Sequence, residues 1–459
     1  SNTLGAANTY HGYAGLLHDL AEFKSSENMF IKSLSIRNKH LDLEHPHMAN
    51  SFHGLGSVLH DIGEYAKAQE MLDKSLEIRI NNFGEFHPQT AISLHNLALL
   101  LHDKGEYYES LKINKQALHI RESIYGNDHP HTAFSQLNLA ISHHELGNFQ
   151  LSRELHDRAL FIREKVLGKE HPLTAFTLNH YAHLLQELGD FNTANDFLRR
   201  SLLIRRKIFG DHHIHTSHSL HGLAHLLHEL EEHNDAERMA SQALQIRLSN
   251  FRQDHPLIAH SFQILGKIST KKGDLDVAHE YHHRALSIRR DFHGEKHPHI
   301  AHSHHGLAEL LKELGQNEVA HTHHEKALEI RKETLGSDHH HTADSYHGLG
   351  VIKSLLGLHH EAEELHNNAL EIRLKKYGED HHHTSHSLHE LSIIKHIKGD
   401  INHAMELLDK ALHIRRNTFG DDHTHTRTSH EYHQNHFLDF ILDTQTQSSW
   451  LSRFKNFFK

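Results

Sequence analysis

Between residues 215 and 233 the chain reads HTSHSLHGLAHLLHELEEH, six histidines in nineteen residues. Imidazole is a ligand for Zn, Ni and Cu, and two histidines four apart on a helix bring two ring nitrogens towards one cation. His221 and His225 have that spacing, His218 and His228 extend the row, and loops add DHHHT at 338–342 and 380–384. Acid–base chemistry is the other use of such residues, since His225/Glu229 and His183/Glu187 also lie four apart. No activated nucleophile or glycine-rich phosphate loop accompanies them, and HGLAH has glycine where a zinc protease motif needs glutamate. The chain is therefore not expected to be an enzyme. A dedicated metal site needs fixed supporting partners and a defined ligand number. These histidines are instead spread along the whole chain, and His282, His283, His323 and His324 are expected on the outer helices. The expectation is no required cofactor and weak, spread binding of Zn, Ni or Cu, with His218, His221, His225 and His228 as the leading single site.

Composition bounds the partners. Histidine, at 61 of 459 residues, outnumbers both Asp+Glu at 59 and Lys+Arg at 48. The net charge of −11 opposes a nucleic-acid partner held through its phosphates. Cysteine is absent, so disulfides, thiolate nucleophiles and Cys-type zinc sites are excluded. No apolar run approaches the length of a membrane span. The expected location is cytoplasmic; because the sequence opens on Ser1, a leader is not assessable.

The histidines belong to a repeat. Ile-Arg recurs at Ile36-Arg37, Ile78-Arg79, Ile120-Arg121 and onward to Ile414-Arg415, always 42 residues apart. A histidine keeps the same period from His45 and His87 to His423, and all 6 prolines follow members of that column. Each unit reads as two helices, as in PQTAISLHNLALLLHDKG from Pro88 and YYESLKINKQALHIRESIYG from Tyr107. Proline suits a first helical turn because its missing N–H would be unpaired there, and Gly105 and Gly126 suit the left-handed cap that ends a helix. Asp128 and Thr132 flank the next first turn and are expected to satisfy its free N–H groups. One helix pair cannot bury its apolar face alone, so neighbouring units must stack.

The stretch NLALLLHDKGEYYESLKINKQALHIRESIYGNDHPHTA resembles the 42-residue tetratricopeptide repeat of the kinesin light chain family. Ala98, Gly105, Tyr107, Ala117, Ile120, Arg121, Gly126, His129 and Pro130 carry the resemblance, which covers roughly residues 5–430. It implies an all-α, right-handed superhelical solenoid of about ten helix-turn-helix repeats plus a capping helix. It also implies a non-catalytic scaffold that takes a protein or extended peptide in a concave groove. Similar arrays stand beside signalling ATPase domains, so a sensor array of a larger signalling protein is the alternative. A histidine-rich metal-binding or pH-responsive protein is the second alternative. No heptad segment precedes the array. The expected layout is ten units over 1–423, a capping helix over 424–443, and a linker with an amphipathic tail helix over 444–459. The tail, WLSRFKNFFK, either covers the last unit or meets a partner or a membrane surface.

A column identical in every unit serves what every unit does, which is stacking. Leu76, Ile78, Arg79 and His87 are therefore expected to be structural, with the His87 column packed neutral between units. Function belongs to exposed columns that vary. At 100° per residue, Leu220, Leu223, Ala224, Leu226, Leu227 and Leu230 form the packing stripe. His218, His221, His225 and His228 fall in a band about 80° wide on the other side, with Glu229 beside it. The resemblance makes that face the groove wall. The groove residues expected on this basis are His53, Asp61, His95, Asn96, His102, Asp103, Asn138, Glu145, His183, Glu187, His221, His225 and Glu229. Asn96 and Asn138 alone keep the family's asparagine for clamping a peptide backbone. The acid column, from Asp19 and Asp61 to Glu229, is expected to favour a basic or neutral peptide. The sequence leaves the oligomeric state open.

Overall fold

A computed structural model describes residues 3–20 and 22–437, and among them there is no β-strand. Ten helix pairs follow one another, from Leu4–Asp19 and Phe23–His40 in unit one to His382–Ile397 and Ile401–Phe419 in unit ten. Residues 424–437 begin one more helix, whose Phe437 is buried against Ala404 and Leu408. Residues 438–443 of the expected capping helix, and all of 444–459, lie outside the described residues.

From unit two onward each unit's first helix is started by the histidine of the invariant column, while Thr3 caps the first helix of unit one. His87 Nδ1 accepts the N–H of Gln89 at 3.2 Å and His129 Nδ1 that of His131 at 3.1 Å, so imidazole takes the place of a serine or aspartate oxygen. This corrects two expectations. The column caps helices and is not uniformly packed between neighbouring units: His45, His87, His129 and His171 are only half-buried, whereas His297 and His339 are buried. Thr132 does not cap either, because its hydroxyl donates to the Gly126 carbonyl at 2.7 Å and ties the end of one unit to the next.

The arginine column is structural, as its invariance implies. Arg163 is fully buried and donates to the Leu173 carbonyl at 2.8 Å and the Thr177 hydroxyl at 2.6 Å, joining one unit's second helix to the next unit's first. Burial of a cation is costly unless its protons find acceptors, and it lowers the Arg163 pKa to about 10. Between the two helices of a unit lies a second interior position, filled by Leu72, Leu198 and Leu408 in three units. His156, His282, His324 and His366 hold that same position in four others and are equally buried. His282 and His324 lie on second, outer helices as expected, but on the inward face, so their side chains belong to the core; His283 remains exposed.

The array curves back onto itself. His255 Nε2 donates to the Asp61 carbonyl at 2.8 Å, His297 to that of Asp103 at 3.0 Å and His339 to that of Glu145 at 2.5 Å, each across 194 residues. Phe251 stacks on Phe23 at 5.5 Å, Tyr377 on Phe149 at 5.0 Å and Phe419 on Phe191 at 5.6 Å. Unit six therefore lies over unit one, and the ten units make two superhelical turns in contact. The approach is close: at Gly63, φ +96°, a Cβ would lie 2.0 Å from the Phe292 ring. A solenoid held only by nearest neighbours is the wrong description of this chain. The concave groove has become the lumen of a two-turn tube.

Candidate ligand-binding lumen

The lumen wall is made by the first helices, whose outer residues face the core of their own unit. His221 and His225, one turn apart, have ring centroids 4.9 Å apart, and His221 lies 6.3 Å from His260 of the next unit. Their packing against neutral walls and against Arg247 depresses their basicity: burial first, then the guanidinium, holds His221 well below its usual pKa. Burial likewise lowers His53 to about 3 and His183 to about 4, and drives His218, His225 and His260 well down. At neutral pH these rings are uncharged. Several retain a buried nitrogen without a hydrogen-bond partner, namely His53 Nδ1, His221 Nδ1, His228 Nδ1 and His260 Nε2.

The two asparagines do not stand free in this wall. Asn96 Nδ2 donates to Ser57 Oγ at 2.7 Å and lies 3.3 Å from His53 Nε2. Asn138 Nδ2 donates to His95 Nδ1 at 2.8 Å, and both residues are buried. Adjacent first helices approach closely enough for these side chains to bridge them, so both amides are drawn into contacts between units. His95 and Asn138 belong to the interface between units and not to an exposed column.

At the C-terminal ends of the first helices the acids and histidines alternate along a ladder. His18 Nε2 meets Asp61 at 2.6 Å, His60 Nε2 meets Asp103 at 2.9 Å, and His102 Nδ1 meets the other Asp103 oxygen at 3.1 Å. The ladder reaches Glu145, 3.9 Å from His102. Burial opposes charge on these imidazoles, but the hydrogen bonds and charges of the carboxylates outweigh it and raise the pKa of His18, His60 and His102. Burial alone would raise Asp103, yet His102 and His60 hold it well below the carboxylate range. The acid column of the first units is therefore paired and not an open negative stripe. Further along, Glu187 accepts from Tyr377 Oη at 3.1 Å, with His383 at 3.4 Å, and is held at about 2 against burial by His383. Glu229 is exposed, and its carbonyl accepts from His423 at 3.1 Å.

Metal chemistry finds no ready cage: among the described residues no group of three or more His, Asp or Glu side chains converges so as to hold one ion. His218, His221, His225 and His228 run along one helix without a shared focus. No helix among the described residues is long and apolar enough to cross a membrane. What the sequence reading missed is a cavity of about 340 Å³ where the turns meet, lined by Phe23, Tyr65, Phe251 and Phe292 with His60 and Asp103. Its signal was present. Phe23, Tyr65, Tyr107, Phe149 and Phe191 hold one column in the five units that are covered, whereas the same column reads His233, Leu275, Asn317, His359 and Ile401 in the five that are not.

Comparison with known proteins agrees with this architecture. A tetratricopeptide repeat family model matches residues 5–81, 47–118, 89–160, 135–202, 177–249, 257–333, 322–375 and 341–417. Among solved structures, BtubC (BKLC) from P. vanneervenii is 22% identical over 51% of this chain and 92% of its own, with a TM-score of 0.38. A putative kinesin light chain from P. anserina, built of nearly identical repeats, is 26% identical over 45% of this chain and 98% of its own, with a TM-score of 0.36. A Rap protein complexed with Competence and Sporulation Factor is 13% identical over 75% of this chain and 97% of its own, with a TM-score of 0.52, a likeness of fold. No curated protein matches the sequence.

Proposed function

We propose, for a chain that belongs to the tetratricopeptide repeat family, that it is an interaction scaffold whose lumen takes an extended peptide segment of neutral or basic character. The observation that carries this reading is the row of uncharged, partly exposed imidazoles on the first helices, above all His221 and His260. A neutral imidazole offers one donor and one acceptor, and a peptide backbone offers both in alternation. The net charge of −11 and the exposed Glu229 add a preference against acidic segments. The reading assigns no reaction to the chain.

Binding of fluorescent peptides of contrasting charge, followed by polarisation, tests it. Basic and neutral peptides are expected to bind more tightly than acidic ones at pH 7.5. His221→Leu/His225→Leu/His260→Leu should weaken that binding by about tenfold or more, since each lost hydrogen bond is worth about 0.5–1.5 kcal/mol. Unchanged affinity in a variant with native helix content would reject the lumen as the site. Metal is expected to bind weakly at several places: in calorimetry with Zn²⁺, replacing His218, His221, His225 and His228 by Gln should remove only part of the uptake. A single tight step abolished by those changes would restore the dedicated site.

A further inference from the structure

One stretch of the contact between the two turns is left unfilled. The cavity of about 340 Å³ lies where units one to three meet units six to eight. Neighbouring stretches of the contact show what keeps it open. Two units along, Tyr377 stacks on Phe149 at 5.0 Å and donates to Glu187 at 3.1 Å. One unit along, Tyr107, Leu146 and Leu335 close into an apolar cluster. At the cavity the residues matching Phe149, Tyr377 and Glu187 are Tyr65, His293 and Asp103. The His293 ring is smaller than that of tyrosine and its centroid stands 5.9 Å from that of Tyr65, while aspartate is one methylene shorter than glutamate. The space is thus specified by residues that differ from unit to unit, as befits a position that serves a ligand and not stacking.

Aromatic carbon and carboxylate meet in this space. Phe23, Tyr65, Phe251 and Phe292 supply the rings. Asp61 and Asp103 supply the charge, with 38% and 46% of their side-chain surface exposed. Asp61 gives one oxygen to His18 at 2.6 Å, while its other lies 3.7 Å from His60, beyond hydrogen-bond reach. Asp103 accepts once at each oxygen, from His60 and His102, and a carboxylate has about four lone-pair sites. Both acids therefore keep capacity for a further donor. None of the residues lining the cavity is Lys or Arg. Arg247 and Arg289, whose charges reach the histidines of the far wall, are buried and already donate to Ser261 and Ser303. Burial holds the histidines of that wall, such as His218, His260 and His299, in the uncharged form.

On the reading that the lumen holds a peptide, we infer that this cavity is the anchor pocket for one basic side chain of that peptide. Asp61 and Asp103 take its guanidinium or ammonium group, and the aromatic rings take its methylene stem. Cations are attracted to aromatic faces as well as to carboxylates, and long basic side chains bury their stems on apolar surface. A guanidinium presents its N–H donors as a planar fork, which suits two carboxylates contributed by adjacent units. The cavity shares His218 and His260 with the lumen wall, so a backbone running along the lumen can send a side chain into it. Its volume falls within the range of ordinary ligand pockets, which begins at about 300 Å³.

Nα-acetylarginine amide and Nα-acetylcitrulline amide separate charge from shape, because citrulline carries a neutral urea of nearly the same outline. Their binding is followed by calorimetry and ligand-observed NMR at pH 8.5, to minimise charge on the imidazoles beside the two acids. The arginine probe is expected to bind saturably and about tenfold or more tightly than the citrulline probe. Asp61→Asn/Asp103→Asn should abolish that difference. Asp103→Glu/His293→Tyr keeps both acids but copies the pairing of Glu187 with Tyr377 into the cavity, and by filling it should abolish binding. Circular dichroism checks the helix content of each variant. Should the asparagine pair lose helix, the filled variant decides alone, since its pairing is one the chain already folds with. Absence of saturable arginine binding, equal binding of the two probes, or a preference that survives the filled variant would each overturn the pocket. The probes are too short to occupy the lumen, so the two readings part. Peptides that bind equally well with arginine or citrulline would reject the pocket and leave the lumen standing. Probes that bind where no peptide does would uphold the cation site and reject the lumen.

Discussion

Lowering the pH from 7.5 to 5 is expected to lower the thermal unfolding midpoint by about 10 °C. The cause is the set of core histidines. Burial depresses His156, His282 and His366 to about 3, against 6.5 for the unfolded chain. A histidine kept neutral by the fold contributes stability that is complete above pH 6.5 and is lost as pH falls from there towards the folded value. At pH 5 the loss is about 2 kcal/mol for each such residue, or about 6 kcal/mol for these three, within the ~5–15 kcal/mol that typically holds a domain together. His18, His60 and His102 act in the opposite sense. Their raised values give support below pH 6.5 that fades as pH rises through the folded pKa, and they are outnumbered once the depressed His53, His183, His389 and His425 are counted with the core set. Asp103 and Glu187, both depressed, begin to lose their contribution only near the unfolded carboxylate pKa of about 4. Differential scanning calorimetry at half-unit pH steps reads the result, and a midpoint flat from 7.5 to 5 would sink the account.

Replacing His366 by Leu is expected to stabilise the protein by about 1–3 kcal/mol at pH 7.5 and to reduce its acid sensitivity. The array supplies its own control. Leu72, seven units earlier, fills the same position over Gly56, just as His366 sits over Gly350. A Cβ on either glycine would fall 2.8 Å from the side chain above it, so leucine already fits this geometry. Neither ring nitrogen of His366 has a hydrogen-bond partner, which leaves two polar atoms desolvated without return. His156→Leu should gain less, because His156 Nδ1 lies 2.9 Å from the Ser152 carbonyl and loses that bond. Urea denaturation of the two variants measures the order; a less stable His366→Leu protein would show that the imidazole is satisfied in a way its surroundings do not reveal.

The helix pairs, their borders and the arginine column were all legible from the period alone, since they depend on residues within one unit or its neighbour. Closure was not. A small rotation per unit accumulates over five units before Phe251 reaches Phe23, and no pattern of adjacent units carries that sum. The aromatic column that stops at Phe191 was visible, but only a reader comparing the two halves of the chain would give it meaning. The inward aspect of His282 and His324 on their outer helices was not read, because polar residues at inward positions break the apolar stripe that locates a helix face. Helical geometry placed His53, His183, His221 and His225 together on one face of the first helices. Asn96 and Asn138 were assigned to a ligand because their bonds to Ser57 and His95 span 39 and 43 residues, a distance that local reasoning does not cross.

Closure after five units also bears on how such a chain changes over generations. Recombination between similar repeats adds or deletes whole units, and in an open array each product is nearly as good as its parent. Here, loss of any one of the first five units would keep every neighbour-to-neighbour contact yet bring His233, in place of an aromatic residue, under the upper turn. Gain of a unit within that half would carry Phe191 beyond the covered edge. Copy number is thus a trait that selection can see, and lineages of this protein should vary in the sequence of their units more freely than in how many they have.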